Sequence, residues 1–319
     1  MGLLPKGEES ERTEKSPSAA YRGRFAPSPS GALHFGSLVA AVGSYLDART
    51  QRGEWLVRIE DVDEPRTVAG AADGILRTLE GFGFEWDGEV LVQSRRLDYY
   101  HSALVHLQLN GDAYPCACSR SEIKVATSQP SVDGGLLYPG TCRGGLAEGR
   151  AARAWRLRVP DQDFDFVDRV QGACRQNLER EVGDFILLRA DGQYAYQLAA
   201  VMDDAAQGVN AVVRGVDLLD STARQIWLQQ RLGLPTPSYA HLPVVVNAVG
   251  EKLSKQTLAP AVDPEQGSTL LAAAMQFLGH PVSAELHGVP VADFWRWAVS
   301  AWSIERVPAV RGLFPGATL

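Results

Sequence analysis

The feature that most constrains the fold is an alternation of short buried strands and helices that is interrupted once. The first half has strand, helix, strand and helix character in turn, at residues 21–26, 37–49, 54–59 and 70–81. Because parallel neighbours need a crossover, which is usually a helix, this order predicts a parallel α/β sheet. The pattern later resumes as strand, helix and strand, at residues 209–215, 221–232 and 242–247. We therefore predict an α/β nucleotide-binding fold that an insertion splits in two.

The remaining segments complete the predicted domain organisation. Residues 111–150 hold three of the four cysteines; the strand-like runs W-R-L-R-V and D-F-D-F-V follow, and Asp191-Gly192 is then a predicted hairpin turn. Beyond residue 263 the pattern is helical, with Ser268 as a candidate helix cap and an aromatic, core-facing stripe over residues 292–304. We expect a disordered polar tail at residues 1–20, the first half of the fold at 21–110 and the insertion at 111–190. The second half, with the stretch K-L-S-K-Q, is expected at 191–257, and a helical C-terminal region at 258–319.

Composition narrows the class of protein. With 45% hydrophobic and 22% charged residues among 319, the chain is predicted to be globular and not disordered. We expect no transmembrane helix and no secretory signal, because the apolar runs are short and the first twenty residues are highly charged. Four cysteines make no disulfide framework, which indicates a cytoplasmic protein. The net charge of −7 means that any contact with nucleic acid needs a local basic patch.

The segment R-F-A-P-S-P-S-G-A-L-H-F-G-S-L, at residues 24–38, joins the first strand to the first helix. Gly31 and Gly36 have the spacing of a P-loop, but Ser37 stands where that loop needs a lysine, and the dinucleotide pattern of three glycines is absent. The free N–H groups of a helix start still bind anions, and His34 lies next to them. A phosphate site and an ordinary turn beside a surface histidine both fit this segment alone.

The lysines form the second informative feature. The chain has five lysines against 26 arginines, yet Lys252 and Lys255 both lie in the stretch E-K-L-S-K-Q, directly after the last buried strand. Two mobile ammonium groups on a loop suit negative charge that develops in a transition state. A solvated loop is the alternative explanation.

Taken together, these motifs carry a family resemblance. H-F-G-S resembles the H-I-G-H motif of class I aminoacyl-tRNA synthetases, and K-L-S-K-Q resembles their K-M-S-K-S loop. Four further stretches are similar to the glutamyl/glutaminyl branch: R-F-A-P-S-P-S-G, R-I-E-D-V-D-E-P-R, Y-Q-L-A and V-V-R-G-V-D-L-L. The resemblance covers residues 21–257. It implies a Rossmann-like class I catalytic domain, split by a zinc-containing insertion and followed by a small helical C-terminal region.

Within this branch the chain resembles a group of short paralogues of glutamyl-tRNA synthetase. The run G-S-L-V-A-A-V-G-S-Y-L-D-A-R is typical of them, as is Ser37 in place of the second motif histidine. Only 63 residues follow K-L-S-K-Q, so we expect no anticodon-binding domain. The resemblance implies a monomeric ligase that activates L-glutamate with ATP and Mg²⁺, without tRNA. It then transfers the glutamate to the queuosine base at the wobble position of tRNA(Asp).

The resemblance also assigns residue roles. His34, Lys252 and Lys255 would be catalytic, and ATP would contact His34, Gly36, Ser37 and Lys255. The implied glutamate-binding residues are Arg24, Phe25, Ala26, Pro27, Ser28, Glu60, Tyr196 and Arg214. Simpler explanations stay open for single residues: Arg24 as a surface arginine, Glu60 as the ion-pair partner of Arg58 or Arg66, and Tyr196 as a core tyrosine. An arginine beside the apolar V-V run, such as Arg214, needs a partner if it is buried.

The cysteines suggest a metal site. Cys116 and Cys118 form C-x-C, and Cys142 follows in the same glycine-rich insertion, so a structural Zn²⁺ would need a fourth ligand. Chemistry nominates Cys174 or a histidine, but no histidine lies between residues 107 and 240. The resemblance instead implies Tyr138, which precedes Cys142 in the family pattern Y-x-x-x-C. Three reduced, partly buried cysteines without metal are the alternative.

Three other functions remain open at this point. A truncated glutamyl-tRNA synthetase would charge the tRNA 3′ end, a nucleotidyltransferase of the same superfold would not need the glutamate pocket, and an RNA-binding module would have no catalysis. Five arginines lie close together in the sequence of the insertion. They either bind RNA phosphates or form a solvated surface: Arg143, Arg150, Arg153, Arg156 and Arg158.

Overall fold

The computed structural model describes residues 20–247, 250–252 and 260–315. Its first half alternates strands and helices as predicted, namely β1 Arg22–Phe25, α1 Phe35–Thr50, β2 Glu54–Ile59, α2 Ala71–Gly81, β3 Leu91–Val92 and α3 Leu97–Leu109. The strands pair in parallel in the order β1-β2-β3. Pro27 and Pro29 cannot donate to a ladder, so β1 ends at Phe25 and the chain turns toward α1.

The insertion forms a separate antiparallel sheet and a hairpin. Its elements are β4 Ala113–Cys116, α4 Arg120–Ala126, β5 Ala154–Leu157, β6 Asp163–Asp168, β7 Gly172–Asn177, α5 Leu178–Glu181 and β8 Ile186–Leu188. The first sheet has the order β4-β5-β8. The β6–β7 hairpin instead extends the sheet of the second half, because Asp168 at the end of β6 pairs with Tyr239.

The second half supplies another parallel pair and the C-terminal elements. These are α6 Tyr196–Ala206, β9 Ala211–Gly215, α7 Thr222–Leu232, β10 Ser238–Leu242, β11 Val244–Val245, α8 Gly267–Phe277, α9 Val291–Ala301 and β12 Gly312–Leu313. The second sheet has the order β7-β6-β10-β9. Asn210, directly before β9, exchanges two hydrogen bonds with Arg22 of β1, with N···O distances of 2.9 and 3.1 Å. The parallel strands of the two halves therefore lie side by side.

Two local expectations are wrong, each for a simple reason. The strand expected over 242–247 is broken by Pro243, which lacks an N–H donor, into the end of β10 and the short β11. Ser268 does not cap α8, because the helix already begins at Gly267 and buries Ser268 in its first turn. By contrast, the predicted turn at Asp191-Gly192 is confirmed by the hydrogen bond from Gly192 N–H to the Arg189 carbonyl oxygen and by the bridge between Leu188 and Tyr194, after which α6 begins.

The C-terminal helices belong to the core of the first half. Trp295 of α9 packs against Tyr45 of α1, with ring centroids 4.8 Å apart, and against Phe84 at 4.9 Å. Trp295, Ala298 and Trp302 are buried, so the stripe over 292–304 faces the core as predicted. This packing fixes α1, whose first turn borders the site described below. Within the described ranges, no helix has the length and hydrophobicity that a membrane crossing requires.

Candidate active site and metal site

A cleft of about 630 Å³ opens where β1, β9 and β10 end, beside the first turn of α1. The carboxyl ends of parallel strands meet at one edge of the sheet, which is where α/β folds bind their ligands. The structure brings several predicted site residues together around this cleft: Phe25, Ala26, Pro27, Ser28, His34, Gly36, Ser37 and Lys252. Lys255 lies outside the described residues.

His34 is the N-cap of α1, which starts two residues earlier than the periodicity predicts. Its Nδ1 accepts a hydrogen bond from the backbone N–H of Ser37, at 3.3 Å. Since Nδ1 is the acceptor, the ring proton is on Nε2, which makes that atom a donor. The half-buried ring also lines the cleft together with the first turn of α1. A donor and a helix N-terminus therefore face the same space, which suits an anion such as phosphate.

Lys252 lines the cleft and pairs with a carboxylate there. Its Nζ lies 2.6 Å from Oδ2 of Asp217, and both side chains are partly exposed. Asp217 follows β9 in the V-V-R-G-V-D-L-L stretch and also lines the cleft. This carboxylate was missed at the sequence level, because a lone aspartate in a loop carries no signal of its partner.

Behind the cleft, two arginines and two carboxylates form a buried charge network. Asp204 Oδ1 accepts from Arg24 Nε at 3.1 Å and from Arg58 Nη1 at 2.7 Å, and Arg58 Nη2 lies 3.1 Å from Glu60 Oε1. Glu60 is thus the ion-pair partner of Arg58, as the simpler explanation predicts, while staying beside Arg24. Burial raises the pKa of Glu60, and the positive charges of Arg58 and Arg24 oppose that rise.

Arg214 differs from the other two arginines in its partners. Its Nε donates to His241 Nε2 at 2.9 Å, and its terminal nitrogens donate to Gln225, Thr222, Tyr196 and the Leu218 carbonyl oxygen at 2.8 to 3.5 Å. All these acceptors are uncharged, so within the described part of the chain Arg214 is a buried cation without a direct anionic partner. Such a group is costly, and an anionic ligand would compensate it.

Tyr196 connects Arg214 with the charge network. Its hydroxyl is the most distant of the Arg214 acceptors, at 3.5 Å. Burial raises the pKa of this hydroxyl, while the charges of Arg214 and Arg24 lower it and those of Glu60 and Asp204 raise it further. The tyrosine is thus within electrostatic range of both groups. The predicted pocket residues Arg24, Glu60, Tyr196 and Arg214 therefore form one buried polar region. They do not line the cleft themselves, but Phe25 and Gly215, which follow Arg24 and Arg214 in the chain, do.

Several site residues escaped the sequence analysis. Asp204 had a usable signal, since Asp203-Asp204 is a pair of acids inside the otherwise apolar helix A-A-V-M-D-D-A-A. The buried Asp168 and His241 had none, because Asp168 ends β6 and His241 is the next to last residue of β10, and both strands are unremarkable in sequence.

The cysteine cluster forms at the start of the insertion sheet. The sulfur atoms of Cys116, Cys118 and Cys142 all lie within 4.8 Å of one another. The Tyr138 hydroxyl is 3.4 Å from Cys116 Sγ and 3.8 Å from Cys118 Sγ. Cys174 lies on β7, outside this cluster, which removes it as the fourth ligand.

Arg156 borders the same cluster. Its Nε donates to Cys116 Sγ at 3.3 Å, and its guanidinium carbon lies 3.7 Å from the centre of the Tyr138 ring. Other members of the arginine group contact the protein itself: Arg143 pairs with Glu179 and Asp184, and Arg150 with Glu122. Arg158 donates to the Gly111 carbonyl oxygen and stacks on Tyr114. These contacts favour a structural role for most of the group over phosphate tracking.

Comparison with protein families agrees with this architecture. A model described as the catalytic domain of class I tRNA synthetases for Glu and Gln matches residues 20–270. The glutamyl-Q tRNA(Asp) synthetase of Dechloromonas aromatica is 61% identical over 291 residues, which are 91% of this chain and 97% of that relative. The enzyme of the same name from Chromobacterium violaceum is 57% identical, over 92% of this chain and 97% of the relative. A Neisseria meningitidis relative with this name is 52% identical, over 90% and 97%.

Solved structures show the same fold. The crystal structure of glutamate-tRNA synthetase from Elizabethkingia anophelis superposes with a TM-score of 0.75 at 24% identity, over 92% of this chain and 68% of that one. A glutamate tRNA ligase from Elizabethkingia meningosepticum, in complex with its amino acid, gives a TM-score of 0.74 at 23% identity, over 93% and 67%. At these identities the likeness concerns the fold alone.

Proposed function

Because the chain belongs to the glutamyl-Q tRNA(Asp) synthetases, which are class I ligases, we propose that it activates glutamate with ATP and transfers it to the queuosine base of tRNA(Asp). The observation that carries the substrate assignment is the buried Arg214, whose partners in the described chain are all uncharged. A carboxylate placed there would supply the missing anion.

The charges of the pocket match those of glutamate. The region has three positive side chains, Arg24, Arg58 and Arg214, and two negative ones, Glu60 and Asp204. It therefore has one excess positive charge. Glutamate has two carboxylates and one ammonium group, and therefore one excess negative charge. In the proposed arrangement the arginines bind the carboxylates, bidentate through their guanidinium forks, and Glu60 pairs with the ammonium group. Tyr196 completes the pocket as a hydrogen-bond partner, and residues 25–28 form its mouth.

ATP is proposed to occupy the neighbouring cleft, whose size suits a nucleotide. The flat backbone at Gly36 would allow a close approach of the base or ribose. The glutamate carboxylate then attacks the α-phosphate in line, pyrophosphate leaves, and glutamyl-adenylate forms. Mg²⁺ arriving with ATP would neutralise phosphate charge.

The protein contributes positioning and charge, not a nucleophile. In this proposal His34 Nε2 donates to a phosphate oxygen, and Lys252 and Lys255 supply positive charge. Asp217 holds Lys252 at the rim of the cleft.

A structural zinc ion fits the cysteine cluster. A tetrahedral ion with Zn–S bonds of about 2.3 Å needs sulfur atoms about 3.8 Å apart, and the cluster already has this scale, with 3.5 Å between Cys118 and Cys142. We propose Cys116, Cys118 and Cys142 as ligands with Tyr138 as the fourth. Arg156 would offset the negative charge of the thiolates and the phenolate. The ion would cross-link the insertion and take no part in the reaction.

The pyrophosphate exchange reaction tests this function. Glutamate-dependent exchange of labelled pyrophosphate into ATP is expected without any tRNA, and glutamine is expected to support much less, because it lacks the side-chain charge. Absence of exchange would refute the proposed activation step. Exchange supported equally by both amino acids would refute the assigned role of the arginines.

The three alternative functions predict different experimental results. Charging of the tRNA 3′ end would label tRNA(Asp) regardless of queuosine. A nucleotidyltransferase of this superfold would have no use for Arg24, Glu60, Tyr196 and Arg214, and an RNA-binding module would show no exchange. Transfer of glutamate to tRNA(Asp) with and without queuosine separates the first alternative from the proposed function.

A further inference from the structure

Three buried side chains form a hydrogen-bonded series from the β6–β7 hairpin to the pocket. Asp168 Oδ2 lies 2.6 Å from His241 Nδ1, and His241 Nε2 lies 2.9 Å from Arg214 Nε. The three residues are between 0% and 5% exposed. They come from β6, β10 and β9, which are neighbours in the second sheet. This hydrogen-bonded series thus links the interior of the sheet to Arg214, whose guanidinium group is proposed to bind glutamate.

The partners at both ends determine the tautomer of His241. Oδ1 of Asp168 accepts from three backbone N–H groups, those of Val170, Gln171 and His241, at 2.8 to 3.0 Å. A carboxylate so surrounded by donors is ionised and only accepts, so His241 Nδ1 is the donor. At the other end arginine can only donate, so His241 Nε2 accepts. The ring is therefore neutral, with its proton on Nδ1.

The electrostatics agree with this assignment. Burial lowers the pKa of His241 to about 4, and the positive charge of Arg214 adds to this, against the opposing effect of Asp168. Burial alone would raise the pKa of Asp168. The hydrogen bonds that it accepts, first of all the one from His241, outweigh this effect and lower the pKa. The histidine therefore stays an acceptor at neutral pH.

We propose that Asp168 and His241 are positioning residues that hold the Arg214 guanidinium by its Nε, so that its terminal nitrogens face the glutamate carboxylate. This inference rests on the proposed function. It explains why a buried histidine is placed where it neither contacts the cleft nor carries charge. By holding Arg214 through a neutral acceptor, the protein leaves the cation uncompensated for the substrate. A carboxylate in the position of His241 would instead satisfy Arg214 internally.

Asp168→Asn is the most direct test, because it is nearly isosteric. The amide oxygen must face the three backbone N–H groups, so the NH₂ group faces His241 Nδ1. His241 is then forced into the other tautomer, and its Nε2–H meets Arg214 Nε–H, donor against donor. Loss of a hydrogen bond to a charged group predicts an increase in the KM for glutamate of about ten- to a hundredfold. The KM for ATP is expected to stay within about twofold, since the Nε contact lies away from the cleft.

A pair of variants at His241 covers the case in which Asp168→Asn does not fold. His241→Gln keeps an amide oxygen that accepts from Arg214, whereas His241→Phe keeps the ring shape and loses the acceptor. We expect the glutamine variant to retain most of the affinity for glutamate and the phenylalanine variant to lose it. Thermal unfolding and ATP binding show whether each variant is folded.

The nitrogen chemical shifts of the histidine rings give an independent measurement. Wild type is expected to show His241 protonated on Nδ1, and Asp168→Asn on Nε2, with the His241→Gln spectrum assigning the signal. If exchange by the wild type depends on glutamate but Asp168→Asn and His241→Phe keep its KM, or raise both KM values equally, the positioning role is refuted. If the wild type shows no glutamate-dependent exchange, the proposed function itself fails.

Discussion

Arg214 and Arg58 are both buried arginines, but their partners predict opposite effects on stability. Arg58 has two carboxylates within ion-pair distance, Asp204 at 2.7 Å and Glu60 at 3.1 Å, and is fully buried. Arg214 is almost as buried, and its hydrogen-bond acceptors in the described chain are neutral. Replacement by methionine removes the charge in both cases while keeping much of the side-chain volume.

The expected magnitudes follow from these contacts. Arg58→Met leaves the buried Glu60 without its ion-pair partner and Asp204 with Arg24 alone, which costs about 3–5 kcal/mol of the free energy of unfolding. Arg214→Met loses three hydrogen bonds of 2.8 to 3.0 Å from a charged group, worth about 1.5–3 kcal/mol each, and two longer, weaker ones, but it also removes a desolvated charge that costs several kcal/mol. These two effects nearly cancel, so we expect a change within about 2 kcal/mol. The KM for glutamate should nevertheless rise at least about 100-fold, because charge-assisted bonds to a carboxylate are lost.

Urea unfolding and glutamate-dependent pyrophosphate exchange measure the two quantities. Arg214→Met is expected to remain folded with little exchange, and Arg58→Met to be clearly destabilised. If Arg214→Met is destabilised as much as Arg58→Met, then Arg214 is a structural residue and the substrate assignment is wrong. Normal exchange by Arg214→Met would refute the pocket more directly.

Three further predictions concern the metal site, pH and the catalytic loop. Arg156→Met is expected to weaken zinc binding about ten- to a hundredfold in competition with a chromogenic chelator, and unchanged affinity would show that the cation is irrelevant to the site. His241 takes up a proton at about pH 6.5 when unfolded but only at about pH 4 when folded, so stability should fall by about 3 kcal/mol as the pH drops through this window. The pH dependence should be shallower in His241→Gln, and parallel curves for the two proteins would contradict this. Lys255→Ala should reduce exchange on the order of 10²–10³-fold, and a normal rate would remove its role.

The sequence predicts the elements whose signal is local. Periodicity places β2 at residues 54–59, and the turn chemistry of Asp191-Gly192 is correct. Periodicity does not determine where an element ends. One missing donor at Pro243 divides a predicted strand, and an extra turn before Ser268 places that residue inside a helix instead of at its cap.

Partners that are distant in the chain limit what the sequence can show about the site. Arg58 and Asp204 are 146 positions apart, and Asp168 and His241 are 73 apart, so no local pattern connects them. Arg156 illustrates the same limit. In sequence it belongs to an arginine-rich run that suits RNA phosphates, but its strand directs it toward Cys116 and Tyr138. The motifs identified residues such as Arg24 and Arg214, while the groups that orient them became visible only in the fold.

Transfer of labelled glutamate to tRNA(Asp) tests the central claim most directly. The protein is incubated with ATP, labelled glutamate and tRNA(Asp) that either carries queuosine or has unmodified guanosine at the wobble position. We predict labelling of the queuosine tRNA alone, together with pyrophosphate exchange that needs neither tRNA. Equal labelling of both tRNAs would place the glutamate elsewhere on the molecule and contradict the proposed function.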